Sequence, residues 1–270
     1  MSLERYPINP SYGLGVFRRR LRFVVDAKLV FGSIDDTHHS MWVAIEHDGS
    51  NIETVDADFN RAPATVCPSS AEALLALRGA PLRCDPGELA SRLPATANCT
   101  HLTDLARWCL AHAHWPSGTV DYEIRVPDEA GRPVWIEIAQ NGRSLHRWRI
   151  KDGKVVEPDI YAGQPLMRGF QAWARAAFEG PNLMYATMLQ RGVFVARGRR
   201  FIVDRAPGMP LSRAAGMTNA CFSYSEPHVA AARDNVGYVR DFTQRVDAAE
   251  LPARLAARLA DIQSLEGGRS

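Results

Sequence analysis

The chain has 270 residues, and 46% of them are hydrophobic, which is enough to bury a core in one large domain or two of ordinary size. Its 32 basic residues nearly balance its 30 acidic ones, so the composition does not favour a nucleic-acid partner. No apolar run approaches the roughly 20 residues of a membrane helix, and the first residues lack a hydrophobic signal core. We therefore expect a cytoplasmic protein without a membrane partner, and a homodimer stays open.

The basic residues and the cysteines carry little functional signal. The densest basic run is Arg18-Arg19-Arg20 with Arg22, and because it precedes a strand it favours a solvated sheet edge over phosphate binding. The five cysteines are odd in number and irregularly spaced, which matches neither a disulfide framework nor a paired-CxxC zinc pattern. We expect reduced thiols.

Residues 1–20 are predicted to form an extended arm, and residues 21–116 a first α+β repeat that contains the candidate site. Alternating apolar residues predict a strand from Arg22 to Phe31, and an Asp48-Gly49 turn joins strands over 41–46 and 52–59. Three antiparallel strands result. Helices are predicted over 71–78, over 86–93 and from Cys99 to about His114, the last with one continuous apolar stripe.

Residues 117–205 are predicted to form a second, degenerate repeat, with strands over 120–126, 134–139 and 144–150 and helices over 165–178 and 181–195. A strand pair is predicted over 192–204. Residues 206–270 are predicted to form a C-terminal loop region, with a strand over 219–224, a short helix over 227–235 and an amphipathic helix over 250–265. The sequence predicts an α+β fold, a tandem duplication of a three-stranded antiparallel sheet followed by packed helices, although chance similarity of two α+β halves stays an alternative.

Two polar stretches could form a site. The turn at 35–39 places two carboxylates beside two imidazoles, which suits acid–base chemistry or metal binding, whereas a solvated turn is the simpler alternative. Residues 99–104 place a thiol, an imidazole and a carboxylate at a helix N-terminus, where partial positive charge favours a thiolate. A buried thiol and an ordinary first helical turn are the alternative there. The catalytic candidates are Asp35, Asp36, His38, His101 and Asp104. Arg61 is a candidate for binding a substrate carboxylate or phosphate, with a surface arginine as the alternative.

The hairpin at His47-Asp48-Gly49, Cys67 followed by Ser69-Ser70-Ala71, and Cys99 with Leu102 make the first half resemble the NifU-like iron–sulfur scaffold fold. That family places a further cysteine in the first turn between strands, where this chain has aspartates. A thiolate-held cluster needs three or four thiolates, so the resemblance implies a mononuclear Zn or Fe site instead. Its ligands would be Asp36, Cys67 and Cys99, with Asp35 and His38 as further candidates.

Most of the chain also resembles an uncharacterised bacterial family of unknown function, marked by an Asp-Asp-x-His turn and a Cys-Thr-His-Leu motif. The chain has no Gly-rich phosphate loop, nucleophile elbow, zinc-protease helix or dinucleotide fingerprint. The leading hypothesis is a cytoplasmic enzyme of small-molecule catabolism, aromatic compounds included, with an acid–base site, with or without a metal, for hydrolase, lyase or isomerase chemistry and no nucleotide cofactor. The alternative is a non-catalytic metal or iron–sulfur handling module, or a small-ligand-binding protein.

Overall fold

A computed structural model describes residues 6–205, 208–213, 217–246, 253, 255–257 and 259–260. Eight antiparallel strands form one sheet in the order β4-β3-β2-β1-β5-β6-β7-β8, which confirms the α+β class. The strands are β1 (Val16–Asp26), β2 (Leu29–Asp36), β3 (Ser40–His47), β4 (Ile52–Arg61), β5 (Gly118–Pro127), β6 (Val134–Gln140), β7 (Arg143–Lys151) and β8 (Lys154–Glu157). β1 begins at Val16, inside the segment predicted as an arm.

Each half contributes four strands, so the prediction of three-stranded sheets is wrong. The predicted strand from Arg22 to Phe31 is interrupted by a two-residue connection at 27–28, and β2 continues through the first two residues of the turn predicted at 35–39. The register pairs Val25 with Val30, so these two side chains lie on the same face of the sheet. Phe31, predicted to share a face with Val25, therefore lies on the opposite face. The sequence does not show this change of face, because apolar side chains of β1 and β2 are buried on both faces of the sheet.

The helices are α1 (Pro86–Arg92), α2 (Thr100–His112), α3 (Phe170–Ala177), α4 (Gly180–Ala196) and α5 (His228–Ala231). The predicted helix over 71–78 belongs to a 3₁₀ segment at Cys67–Leu77. The strands predicted over 192–204 and 219–224 are wrong, because α4 continues to Ala196 and leads into a 3₁₀ turn at Arg197–Arg200, while a second such turn spans Phe222–Tyr224. Within the described ranges, no helix is both long enough and apolar enough to cross a membrane.

One hydrophobic core joins the two halves. α2 packs on β2 and β3, α4 packs on β5 and β6, and β1 pairs with β5 at the centre of the sheet. A smaller cluster on the opposite face of the sheet brings Phe31 and Trp42 against Leu255 and Leu259. The helix predicted over 250–265 lies mostly outside the described residues.

Gly32 on β2 allows α2 to approach the sheet closely. A Cβ at this position would lie 2.6 Å from Cys109 Sγ and 3.0 Å from Leu105 Cδ1, both on α2. Overpacking of this kind costs about 1–3 kcal/mol. Gly32→Ala is therefore expected to lower the free energy of unfolding by that amount, measured by urea denaturation. Adding Cys109→Ala should recover part of the loss, and a Gly32→Ala variant as stable as the wild type would contradict the packing described.

Candidate functional site

The two polar stretches singled out in the sequence meet where β2 ends and α2 begins. The turn at 37–39 follows β2, and His101 lies in the first turn of α2. The rings of His39 and His101 are in contact, with centroids 4.3 Å apart and an interplanar angle of 36°. The fold therefore brings together side chains that are about sixty residues apart in the chain.

Asp36 is the centre of this cluster and is completely buried. Its Oδ2 accepts hydrogen bonds from Nε and Nη2 of Arg19 at 2.8 and 2.6 Å. Its Oδ1 accepts from the backbone N–H groups of His38 and His39 at 2.7 and 2.8 Å, and lies 3.2 Å from His39 Nδ1. Burial alone would raise the pKa of Asp36, but the charges of Arg19 and His39 hold it well below its usual value. Asp36 is thus a carboxylate at neutral pH.

The two histidines of this contact have different surroundings. Nδ1 of His39 faces the carboxylate of Asp36, so a proton on this nitrogen is donated to Asp36 Oδ1. His101 is only partly exposed. Desolvation of its ring, together with the nearby charges of His39 and Arg19, lowers the pKa of His101 well below its usual value. His101 is therefore a neutral imidazole at neutral pH.

An ion pair between the two helices borders the cluster. Arg191 Nε on α4 lies 2.6 Å from Asp104 Oδ2 on α2. Asp104, one of the catalytic candidates from the sequence, is paired with Arg191 in the structure. The charge of Arg191 also contributes to the lowered pKa of His101.

Asp35 and Asp36 are neighbours in sequence but point to opposite faces of the sheet, because side chains alternate along β2. Asp35 pairs in register with Arg20 on β1 and Ser40 on β3. Burial raises the pKa of Asp35 to about 7, and the hydrogen bond with Ser40 and the charge of Arg61 offset this effect only in part. The two carboxyl groups therefore differ in protonation near neutral pH, but they do not face one site.

The ring of His38 lies farther from His39 than the ring of His101 does, with the His38 and His39 centroids 6.3 Å apart. Its ring lies against Gly198, where a Cβ would be 2.9 Å from His38 Nε2. That nitrogen is buried, and among the described residues it has no hydrogen-bond partner. Burial lowers the pKa of His38 to about 3, so its ring is neutral. The backbone N–H of His38 binds Asp36 and its ring lies beside Gly198, so His38 borders the cluster without joining the His39–His101 contact.

Arg61 is engaged by the backbone. Its Nη2 donates to the carbonyl oxygens of Asp36 and His39 at 2.8 and 3.1 Å, and its Nη1 donates to those of Thr37 and Tyr238 at 3.2 Å each. The guanidinium group therefore fixes the turn that carries His39. This arrangement differs from the substrate-binding role predicted for Arg61.

The cysteines lie in different surroundings from Asp36. Cys67 Sγ is 3.3 Å from Ser223 Oγ, and the backbone N–H of Phe222 donates to Asn98 O beside Cys99. Burial raises the pKa of Cys67 to about 11 and also raises that of Cys99, which outweighs the effect of the helix N-terminus expected from sequence. Across the described residues, no group of three or more His, Cys, Asp or Glu side chains could hold a metal ion. The structure therefore does not assemble Asp36, Cys67 and Cys99 as ligands.

Sequence reasoning did not select three residues of the cluster: Arg19, His39 and Arg191. Arg19 had a usable signal, because it occupies a core-facing position between Phe17 and Leu21 on β1. His39 lies beside a residue that was selected, and only the direction of its ring distinguishes it. Arg191 had no local signal, since its partner is on another helix.

These features define an α+β protein with a buried Asp–Arg–His cluster formed by β1, the end of β2 and the start of α2. Residues 21–114 match the model of a family described as a protein of unknown function, DUF2889. The matched segment begins within β1 and ends just after α2, so it contains Asp36, His39 and His101 but not Arg19 or α4. The curated proteins include no match to the chain.

Proposed function

We propose that the protein is an acid–base enzyme acting on a small organic molecule, with Asp36, His39 and His101 as its centre. The observation that carries the proposal is the contact between the His39 and His101 rings, with Asp36 within reach of His39 Nδ1. A carboxylate that orients one imidazole beside a second, neutral imidazole is an arrangement suited to moving a proton.

Each group has a distinct part in the proposed chemistry. His101 is the partly exposed member, so it is the group that would take a proton from the substrate. Asp36 lies behind it, and its negative charge would stabilise the imidazolium that forms. Arg19 Nη1 is buried, and among the described residues it has no hydrogen-bond partner. This N–H group and the nearby Arg191 cation would stabilise negative charge that develops on the substrate.

Proton abstraction of this kind is shared by lyases and isomerases and, through an activated water molecule, by hydrolases. The reaction class therefore remains as broad as the sequence suggested. The alternative of a metal or iron–sulfur handling module has less support. Among the described residues, the predicted ligands do not lie close enough together to bind one ion, and the pKa values of the Cys67 and Cys99 thiols are raised. A cytoplasmic location and a homodimer stay predictions.

We further propose that the chain arose by duplication, and that the first half is related to the NifU-like scaffold. The support for duplication is the strand order, in which four strands of each half run outward from the central β1–β5 pair. Each set of four is followed by helices that pack on its own strands. In this view the first half supplies Asp36, His39 and His101, and the second half supplies Arg191.

The proposal can be tested without a known substrate by deuterium wash-in. The protein is incubated in D₂O with a panel of small carboxylic acids, keto acids and esters, and exchange or cleavage is followed by NMR. We expect at least one compound to react, and His101→Gln to slow that reaction at least tenfold, because a positioned general base contributes about 10²–10⁴-fold.

His146→Gln is the matched control. His146 is also a partly buried histidine, but it lies on β7 and contacts Asn182 O at 3.0 Å, outside the cluster. This variant should react at the wild-type rate. A reaction that His101→Gln leaves at the wild-type rate, or no reaction with any compound of the panel, would count against the proposed function.

A further inference from the structure

A cavity of about 380 Å³ lies in the second half of the protein, and none of its lining residues belongs to the histidine cluster. It is bordered by the end of β5, the β7–β8 turn, the segment before α3 and the C-terminal end of α4. Its volume is within the range of small-molecule sites, which is about 300–1,000 Å³.

Part of the cavity wall is apolar and is built from several elements. Apart from two prolines, the apolar side chains that line it are Val126, Ile150, Met167, Val193 and Ala196. Four of the five are rigid parts of β5, β7 and α4, so this wall does not depend on loop conformation. An apolar surface of this kind favours the hydrocarbon part of a ligand.

Three exposed cations line the same cavity: Lys154, Arg168 and Arg197. In the described part of the chain, no carboxylate lies within 4.0 Å of their charged nitrogens. A fourth cation, Arg200, is held differently: its guanidinium lies over the Tyr12 ring at 5.3 Å, and its Nε donates to the Tyr12 hydroxyl at 3.1 Å.

Two of the three acidic residues of the lining, Asp128 and Glu129, already accept hydrogen bonds, and the third, Asp152, is exposed. Asp128 is buried and accepts from Arg199 Nε at 2.8 Å and from the backbone N–H of Gly15 at 3.1 Å. Glu129 accepts a hydrogen bond from the backbone N–H of Asp152. The charges of Glu129 and Asp152 also act on Arg200, whose pKa is raised mainly by its hydrogen bond with Tyr12. The three unpaired cations therefore keep their charge for a ligand.

We propose that this cavity binds an amphipathic organic anion. The apolar body of the ligand would lie against the wall formed by β5, β7 and α4, and its carboxylate or sulfonate would face Arg168, Arg197 and Lys154. Arginine suits such a group because its N–H donors match two oxygens of one anion. The site is separate from the proposed acid–base centre, and either assignment can hold without the other.

The test uses two fluorescent probes that differ in charge. One is 8-anilinonaphthalene-1-sulfonate, an amphipathic anion, and the other is N-phenyl-1-naphthylamine, which has the same apolar body without the sulfonate. The wild-type protein is expected to bind the anionic probe saturably. The double variant Arg168→Gln/Arg197→Gln should weaken its binding at least about fivefold, which corresponds to the loss of roughly one exposed ion pair. Binding of the neutral probe should not change.

Two further variants locate the site. Met167→Trp puts a larger side chain into the cavity and should weaken the binding of both probes. Arg125→Gln/Arg143→Gln removes the same number of charges from exposed positions outside the cavity and should weaken the binding of neither probe. Circular dichroism spectra and melting temperatures show that each variant is folded. His101→Gln should leave binding of the anionic probe unchanged, which separates this proposal from the proposed enzyme activity.

Three results would overturn the proposal. The first is the absence of saturable binding of the anionic probe to the wild-type protein. The second is binding that Met167→Trp leaves unchanged, which would place the probe elsewhere. The third is an equal loss in the Arg168→Gln/Arg197→Gln and Arg125→Gln/Arg143→Gln variants, or an equal loss of both probes in the former, because neither pattern fits an anion held by these two arginines.

Discussion

Replacing Arg19 with methionine is expected to lower the free energy of unfolding by about 3–5 kcal/mol at pH 7. Arg19 and Asp36 are 1% and 0% exposed, so the change leaves the Asp36 carboxylate buried without its cation. The backbone N–H groups of His38 and His39 would still bind Oδ1, but they do not carry a full charge. Urea denaturation followed by circular dichroism measures the effect.

Arg22→Met is the matched control, because Arg22 is on the same strand but faces the other side of the sheet. It pairs with Asp121 at 2.8 Å, both side chains are about one-third exposed, and Arg20 reaches the same carboxylate at 3.3 Å. Removing one of two partly exposed partners should cost less than about 1 kcal/mol. An equal decrease in the free energy of unfolding in the Arg19 and Arg22 variants would contradict the prediction, because it would show that the buried Arg19–Asp36 pair contributes no more than an exposed pair.

The pH dependence of the Arg19 variant provides a second check. In the wild type, the pKa of Asp36 is lower in the folded state than in the unfolded state. The stability that this shift contributes is therefore present above about pH 4 and declines as the pH falls below that value. Without Arg19, buried Asp36 takes up a proton more readily. The difference between the wild type and Arg19→Met should thus be larger at pH 7 than at pH 3.

The sequence predicted the α+β class and most strand positions because the strands alternate and are joined by recognisable turns. Asn141-Gly142 and Asp152-Gly153 adopt positive φ angles at both residues, as expected of tight hairpins. The turn between β1 and β2 was missed because it lacks such a marker. It consists of Ala27 and Lys28, neither of which marks a turn, and apolar residues flank it on both faces.

The candidate site was predictable only where its residues are unusual in their own segment. Asp36 is unusual because Asp35, His38 and His39 lie next to it in the sequence, and His101 is unusual because Cys99 and Asp104 lie close to it. Arg19 is hidden inside a run of arginines, and only its core-facing register distinguishes it from Arg18 and Arg20. Arg191 depends on the packing of α4 beside α2, which arises from tertiary structure and not from any local pattern.

Asp35→Asn is expected to stabilise the protein near neutral pH. The pKa of Asp35 is about 7 in the folded state, against about 3.9 for an unperturbed aspartate. From pH 4 to pH 7 the folded state therefore binds more protons at this position than the unfolded state does, so stability falls as the pH rises. Three pKa units correspond to a loss on the order of 4 kcal/mol. An asparagine does not titrate, and its amide can still bond with Ser40, so the variant avoids this loss.

The difference between the wild type and Asp35→Asn should be small at pH 4 and reach its full size above pH 7. Urea denaturation at both pH values measures it, and comparing the two proteins at each pH cancels the titration of all other groups. A variant that is destabilised equally at pH 4 and pH 8 would show that Asp35 does not titrate near neutrality. Because Asp35 lies on the face opposite His101, the proposed reaction should continue in the variant. If the reaction is lost while stability rises, Asp35 is needed for the chemistry, and the acid–base site extends through the sheet to its second face.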